Sequence, residues 1–158
     1  MSKGVSRPLN ADERALARSI FGKAIDYDRV LICASKWIFF QPRRTVMAPM
    51  GNIHFHPKGG LYCDDFCTAP LNRQGLFIHE MVHVWQAQTR GRWFLPLMRW
   101  PFDRYGYTLK PGWMLGRYGL EQQAEIVRHY FLLKRGHVVA GAPGLEAYRA
   151  ILPYDWAD

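Results

Sequence analysis

The sequence predicts an α+β fold, in which one cluster of short strands lies between helices. Three observations support this prediction: a helix-start pattern at residues 10–13, strand-like segments between residues 29 and 56, and long helical patterns at 72–89 and 118–135. Helices and strands that occupy separate stretches of a chain are typical of the α+β class. A length of 158 residues corresponds to one domain, so we predict a single domain over residues 1–158.

The first helix is predicted to begin after Asn10 and to end at about Phe21. Asn10-Ala-Asp-Glu13 fits a capping box, in which the N-cap side chain and the side chain three residues later each bond the other's backbone N–H. Gly22 follows the last apolar residue of the pattern and is a typical stop signal.

The stretch that follows is rich in β-branched, aromatic and aliphatic residues, and it predicts four short strands at 29–34, 37–41, 45–48 and 52–56. Pro49-Met-Gly-Asn52 is a turn sequence, so the last two strands are predicted to form a hairpin. A loop rich in Gly, Pro, Cys and Asp is predicted from residue 57 to residue 70.

Helical periodicity returns in the second half of the chain. One long helix is predicted over 72–89, and a second from about Tyr118 to Arg135, where Gly136 ends it. A short final helix is predicted over 144–152. The intervening segment 90–117, rich in basic and aromatic residues, is predicted to be irregular.

Composition and charge limit the classes of protein and partner. Hydrophobic residues make up 49% of the chain against 22% charged, which excludes wholesale disorder. The apolar runs are far shorter than the roughly 20 residues of a membrane span. The first residues lack the apolar core of a signal peptide, so we predict a soluble protein that is synthesised in the cytoplasm. The net charge of +8 favours anionic partners.

The sequence has three cysteines, Cys33, Cys63 and Cys67. An odd count without a signal peptide predicts reduced thiols. Cys63 and Cys67 could form one disulfide after export, and the sequence leaves that open.

The motif His79-Glu-Met-Val-His83 lies within the first long helical pattern. Histidines four residues apart share one face of an α-helix, so both imidazoles can reach the same zinc ion. Glu80, about 100° around the helix from His79, would stand beside that ion. The motif therefore predicts a zinc site, with Glu80 as the general base that takes a proton from the attacking water.

A catalytic zinc site needs a third protein ligand. The metzincin pattern would require glycine and histidine at positions that Gln86 and Thr89 occupy. The later helix instead offers Glu121 and Glu125, four residues apart on one face. We predict that Glu121 binds the metal and that Glu125 accepts a hydrogen bond from the free ring nitrogen of one of the two histidines. Glu125 as the ligand remains an alternative, and so does His129, which continues the same stripe.

The combination His-Glu-x-x-His and Glu-x-x-Ala-Glu resembles the gluzincin branch of zinc metallopeptidases. Phe77-Ile-His-Glu-Met-Val-His-Val-Trp-Gln86 and Leu120-Glu-Gln-Gln-Ala-Glu125 look most similar to small Vgr-related proteins and to C-terminal metallopeptidase domains of type VI secretion spike proteins. The chain departs from the gluzincin pattern in having Glu125 where aspartate is usual.

This resemblance implies a minimal zincin-like fold, in which a small strand cluster packs on the His-Glu-x-x-His helix and on the later Glu-bearing helix. It also implies zinc dependence, hydrolysis of a peptide or protein substrate, and a toxin or effector delivered by a secretion system. A secretion spike component and an immunity protein would be its partners, and the periplasm of a target cell its place of action.

Zincins usually add a tyrosine or histidine that stabilises the oxyanion of the transition state. The candidates in this sequence are Tyr105, Tyr107, Tyr118 and His129, among which the sequence does not choose. His54 and His56 alternate with apolar residues, so both are predicted to lie on one face of a strand, and that face could lie beside the cleft.

Two other functions remain open at this stage. The basic aromatic segment 90–117 could contact an anionic surface or stack on nucleic acid, as in a nucleic-acid-associated protease, or it could be a packing loop. SprT-like proteases, the comparison for this function, have a metal site of three histidines. No suitable third histidine follows His83 in this sequence, so the nucleic-acid signal is weak. A non-catalytic adaptor of the secretion machine with a zincin fold is the other alternative.

Overall fold

The computed structural model describes residues 4–98 and 104–156. In chain order the elements are strand β1 (Ser6–Pro8), helix α1 (Ala11–Phe21), strands β2 (Leu31–Cys33) and β3 (Ile53–His54), and helices α2 (Leu71–Arg90), α3 (Phe94–Met98), α4 (Leu120–Lys134) and α5 (Leu145–Arg149). Single 3₁₀ turns lie at Tyr27–Arg29, Phe66–Thr68 and Leu115–Arg117. The predicted α+β class is confirmed.

The sheet is small and mixed. Strand β1 pairs antiparallel with β2, and β2 pairs parallel with β3, with Ile32 opposite Ile53. The predicted hairpin is reduced to one antiparallel pair, in which Met47 and His54 exchange both backbone hydrogen bonds. Ile53 and Phe55 are buried, whereas His54 and His56 point to the other face, as the alternation predicts.

Two of the strand predictions were wrong. Residues 37–41 form a turn, because the Gln41 side chain accepts a hydrogen bond from the Trp37 N–H and the Gln41 N–H bonds Ile38 O. Residues 45–48 contribute only the Met47 bridge. Strand β1 was not predicted, because Ser-Arg-Pro has no apolar alternation and it is held only by pairing with β2.

The long helices lie where the sequence predicts them, within two residues at each end. Helix α2 packs against α4, and Gly75 permits the close approach, since a Cβ there would come within 3.3 Å of Leu132 Cδ2. On the other side, Phe55, Phe66 and Phe77 form a stack with centroids 5.4 Å apart at each step. The middle of α2 is therefore enclosed on both sides.

The segment predicted to be irregular contains the short helix α3, and part of it, Arg99 to Asp103, lies outside the described residues. Its basic and aromatic side chains pair with each other: Arg90 lies over Phe94, and both Lys110 and Arg117 lie over Trp113. None of the helices over 4–98 and 104–156 is both long enough and apolar enough to cross a membrane.

The predicted capping box of α1 is confirmed, and its glutamate does more than cap the helix. Glu13 is fully buried, forms a two-bond ion pair with Arg7 at 2.8 Å, and accepts the N–H of Phe66 at 3.0 Å. This carboxylate therefore joins β1, α1 and the loop that precedes α2.

We expect Glu13→Ala to lower the free energy of unfolding by about 3 kcal/mol, because it removes the carboxylate partner of Arg7 and leaves the backbone N–H groups of Asn10 and Phe66 without their acceptor. Chemical denaturation measures the change. Glu146→Ala is the matched control, since the Glu146–Arg149 pair is exposed and its loss should cost less than about 1 kcal/mol. Equal effects of the two substitutions would contradict the role assigned to Glu13.

Candidate metal centre

The middle of α2 places two imidazoles and a carboxylate inside the protein. His79 and His83 lie one helical turn apart, and Glu80 lies between them in sequence; all three side chains are buried. The neighbouring helix α4 presents Glu121, also buried, to the two histidines. Burial of this many polar groups is costly unless each finds a partner.

The three side chains converge on one point. The Nε2 atoms of His79 and His83 each lie 3.2 Å from Glu121 Oε2. One potential ligand atom from each residue lies within 4.8 Å of the other two. Among the described residues, this is the one group of three or more His, Cys, Asp or Glu side chains that meets this condition. Two imidazole nitrogens and a carboxylate oxygen at this spacing could hold one metal ion.

The other ring nitrogens fix the direction in which the imidazoles face. His79 Nδ1 lies 2.8 Å from Glu125 Oε1, and His83 Nδ1 lies 2.8 Å from Gln86 Oε1. An ionised carboxylate and an amide oxygen can only accept, so both Nδ1 atoms donate. In the neutral rings both Nε2 lone pairs then face Glu121, and a cation at that point would satisfy all three acceptors. The donor set therefore fits a metal ion.

Without a cation, these neighbouring acceptors can be hydrogen-bonded to one another only if one of them carries an additional proton. Burial lowers the pKa of His79, but the hydrogen bonds to Glu121 and Glu125 outweigh it and raise the pKa to about 9. Burial raises the pKa of Glu125, but His79 and Arg128 lower it by a larger amount. The pKa of that carboxyl is therefore below its usual value. A metal ion that binds His79 at neutral pH must therefore displace a proton.

Glu80 is buried beside the two histidines in α2. Its Oε2 atom is buried and makes no hydrogen bond within the part of the chain that the structure describes. A buried carboxylate oxygen without a donor is rare in stable proteins and needs an explanation.

The four candidate oxyanion donors lie in different surroundings. The Tyr105 ring stacks 6.1 Å from the His79 ring and is about half exposed, at 51%. Tyr107 bonds His129 Nδ1 at 2.5 Å and the Tyr148 hydroxyl at 2.6 Å, and His129 Nε2 lies 3.5 Å from Glu125. The Tyr118 hydroxyl accepts the backbone N–H of Lys110 at 2.8 Å.

Gln86 is a site residue that the sequence analysis missed. Its oxygen holds His83, while its NH₂ group donates to Leu120 O and to Gln123 Oε1. Gln123 in turn donates to Tyr118 O, so the chain of bonds ties α2 to the start of α4. The signal was the spacing, because a residue three positions after His83 lies on the same helix face.

A cavity of about 300 Å³ opens beside the cluster. The cavity is lined by Glu125, His129 and Tyr148 and by residues 105–109 and 139–143. Glu125, which is bonded to His79, connects the cavity lining to the cluster. Neither His54 nor His56 belongs to the cluster, and the three cysteines are free thiols.

Comparisons with known proteins identify relatives that match most of the chain. No protein-family model matches it. The chain is 41% identical over 140 residues to the type VI secretion system spike protein VgrG2b of Pseudomonas aeruginosa, a match that covers 81% of this chain but only 13% of that protein. The solved effector domain of the same VgrG2b superposes with a TM-score of 0.72 at 36% identity, covering 94% of this chain and 85% of the domain. The chain therefore belongs to the family of the VgrG2b effector domain.

Proposed function

We propose that this protein is a zinc metalloendopeptidase of the gluzincin type, with a minimal zincin-like fold, and that it acts as a type VI secretion effector. The observation that carries the proposal is that His79 Nε2, His83 Nε2 and Glu121 converge on one buried point. The Nδ1 atom of each imidazole is hydrogen-bonded to another side chain, which fixes the orientation of the ring. Two imidazoles and one carboxylate form a donor set typical of catalytic zinc.

When bound, zinc would act as a Lewis acid that polarises the scissile carbonyl and makes water a stronger nucleophile at neutral pH. His79, His83 and Glu121 are the residues that would hold it. Glu125 and Gln86 would keep the two imidazoles in the tautomer that leaves Nε2 free for the metal.

The remaining steps belong to the side chains of this protein. Glu80, with a buried oxygen that lacks a donor, takes the proton of the attacking water and passes it to the leaving amine. Tyr105 is the candidate for stabilising the oxyanion, since its ring lies beside His79 and half of it is exposed to an incoming peptide. Tyr107, Tyr118 and His129 remain alternatives, and Tyr107 is bonded to His129 while Tyr118 accepts the N–H of Lys110.

Family membership supports a proposal for delivery and partners. The VgrG2b relative is named as a secretion spike protein, and we propose that this chain is carried by a spike component after synthesis in the cytoplasm. A toxin of this kind requires a cognate immunity protein in the producing cell. The periplasm of the target cell is the proposed place of action.

The hydrogen bond from His83 to Gln86 predicts a measurable effect on metal binding. We expect Gln86→Leu to weaken zinc affinity by roughly 10- to 100-fold, because His83 Nδ1 loses the acceptor that orients the ring. Competition with a chromophoric chelator measures the change. Gln88→Leu on the same helix, which removes only bonds to Asp26, should leave the affinity unchanged. A similar loss in both variants would contradict the assignment.

The proposed activity is tested by incubating the zinc-loaded protein with a proteome-derived peptide library and mapping new termini by mass spectrometry. Cleavage that is lost on chelation and restored by zinc supports the proposal. Stoichiometric zinc with no cleavage of the library or of periplasmic extracts would favour the adaptor role instead. Absence of bound zinc after resupply would remove the enzymatic proposal altogether.

A further inference from the structure

A loop far along the sequence from the metal cluster exposes two adjacent phenylalanines. Phe39 is 84% exposed and Phe40 is 63% exposed, and their rings contact each other edge to face at 5.0 Å. Single exposed apolar residues are common, but neighbouring bulky aromatics at this exposure indicate an interaction site. We call residues 36–44 the aromatic loop.

Hydrogen bonds from side chains stabilise the conformation of the aromatic loop. The buried Gln41 side chain donates to Thr45 O and His54 O and accepts the N–H of Trp37. At the rim, Lys36 Nζ donates to Phe39 O at 2.7 Å. The two phenyl rings are therefore displayed by a fixed turn, so a partner would bind them with little ordering cost.

The surroundings of the loop are strongly cationic. Residues 35–63 contain four basic side chains, Lys36, Arg43, Arg44 and Lys58, and no aspartate or glutamate. Within the described parts of the chain none of these four forms an ion pair. Lys36, Arg43, His56 and Lys58 line one surface depression of about 290 Å³. These charges remain available to an anionic partner.

We propose that the aromatic loop docks the protein on anionic phospholipid bilayers. Phe39 and Phe40 insert at the boundary between headgroups and acyl chains, where aromatic rings partition, and the four cations contact lipid phosphates. The edge-to-face pair covers a face of only one ring, so stacking on single-stranded nucleic acid is the competing outcome that the test below includes. This proposal does not depend on peptidase activity.

Flotation with lipid vesicles tests the proposal. The intact protein should float with vesicles of phosphatidylethanolamine and phosphatidylglycerol, and not with phosphatidylcholine alone. Phe39→Ser/Phe40→Ser should abolish flotation, and Arg43→Glu/Arg44→Glu should weaken partition by more than roughly tenfold. Leu97→Ser/Met98→Ser is the matched control, because those side chains are 77% and 53% exposed on α3. Circular dichroism melts establish that each variant is folded.

Several outcomes would overturn the proposal. Flotation that survives loss of both phenylalanines but fails in the α3 variant would move the contact to segment 90–117. Equal binding to neutral vesicles would remove the electrostatic part of the argument and with it the assigned ligand. Binding of single-stranded DNA without binding of anionic vesicles would identify nucleic acid as the partner. No vesicle binding by the wild type would reject the proposal outright.

Discussion

Glu80→Gln is expected to abolish peptide cleavage while leaving the zinc content and the fold unchanged. Glutamine keeps the shape of the side chain but cannot take a proton from water, and loss of general base catalysis alone costs about 10²- to 10⁴-fold in rate. Because Glu80 Oε2 has no hydrogen-bond donor among the described residues, removal of its charge breaks no contact there. Stability should therefore be retained or should rise.

The comparison needs a cleavage site found with the wild type, measured as kcat and KM on one peptide. Glu146→Gln, on the exposed face of α5, is the control for a change of one charge. A fall in kcat with KM nearly unchanged would support a role in the chemical step. Retention of more than about a tenth of wild-type kcat would exclude Glu80 as the general base, and the oxygen without a donor would then need another explanation.

The elements that carry the candidate site were predictable because their signals are local. The spacing of His79 and His83 fixes their shared face on α2, and the capping box fixes the start of α1. The strand prediction at 37–41 failed because two apolar residues there, Phe39 and Phe40, are exposed at the apex of a loop and are not buried in a sheet. Strand β1 depends on a partner 23 to 27 residues away in sequence, which no local pattern records.

The placement of Glu121 and Glu125 illustrates the limit of sequence spacing. Both carboxylates share a face of α4, so periodicity cannot say which one meets Nε2 and which meets Nδ1. That choice depends on the axial offset between α2 and α4, which close packing at Gly75 and the Gln86–Gln123 bond help to set. The structure pairs Glu121 with both Nε2 atoms and Glu125 with His79 Nδ1.

Glu121→Ala and His83→Ala are expected to lose stoichiometric zinc, whereas Glu125→Ala should retain it with an affinity weaker by roughly 10- to 100-fold. Removal of one of three protein ligands leaves too few donors for tight binding. In the wild type, zinc at about 1,000 times its Kd should raise the melting temperature by roughly 10 °C, since it binds only the folded state. Elemental analysis and melts with and without chelator measure both effects.

The relative zinc contents of the Glu121→Ala and Glu125→Ala variants decide which carboxylate is the metal ligand, a choice that the sequence left open. If Glu125→Ala loses zinc and Glu121→Ala keeps it, α4 must shift on metal binding so that Glu125 replaces Glu121 at the Nε2 atoms. If neither variant changes a zinc-dependent melt, the His79–Glu121–His83 cluster is a buried hydrogen-bond network held together by the proton on His79, whose raised pKa of about 9 already suits that state. Loss in Glu121→Ala alone would leave Glu125 in its observed position, behind His79, where it orients the ring.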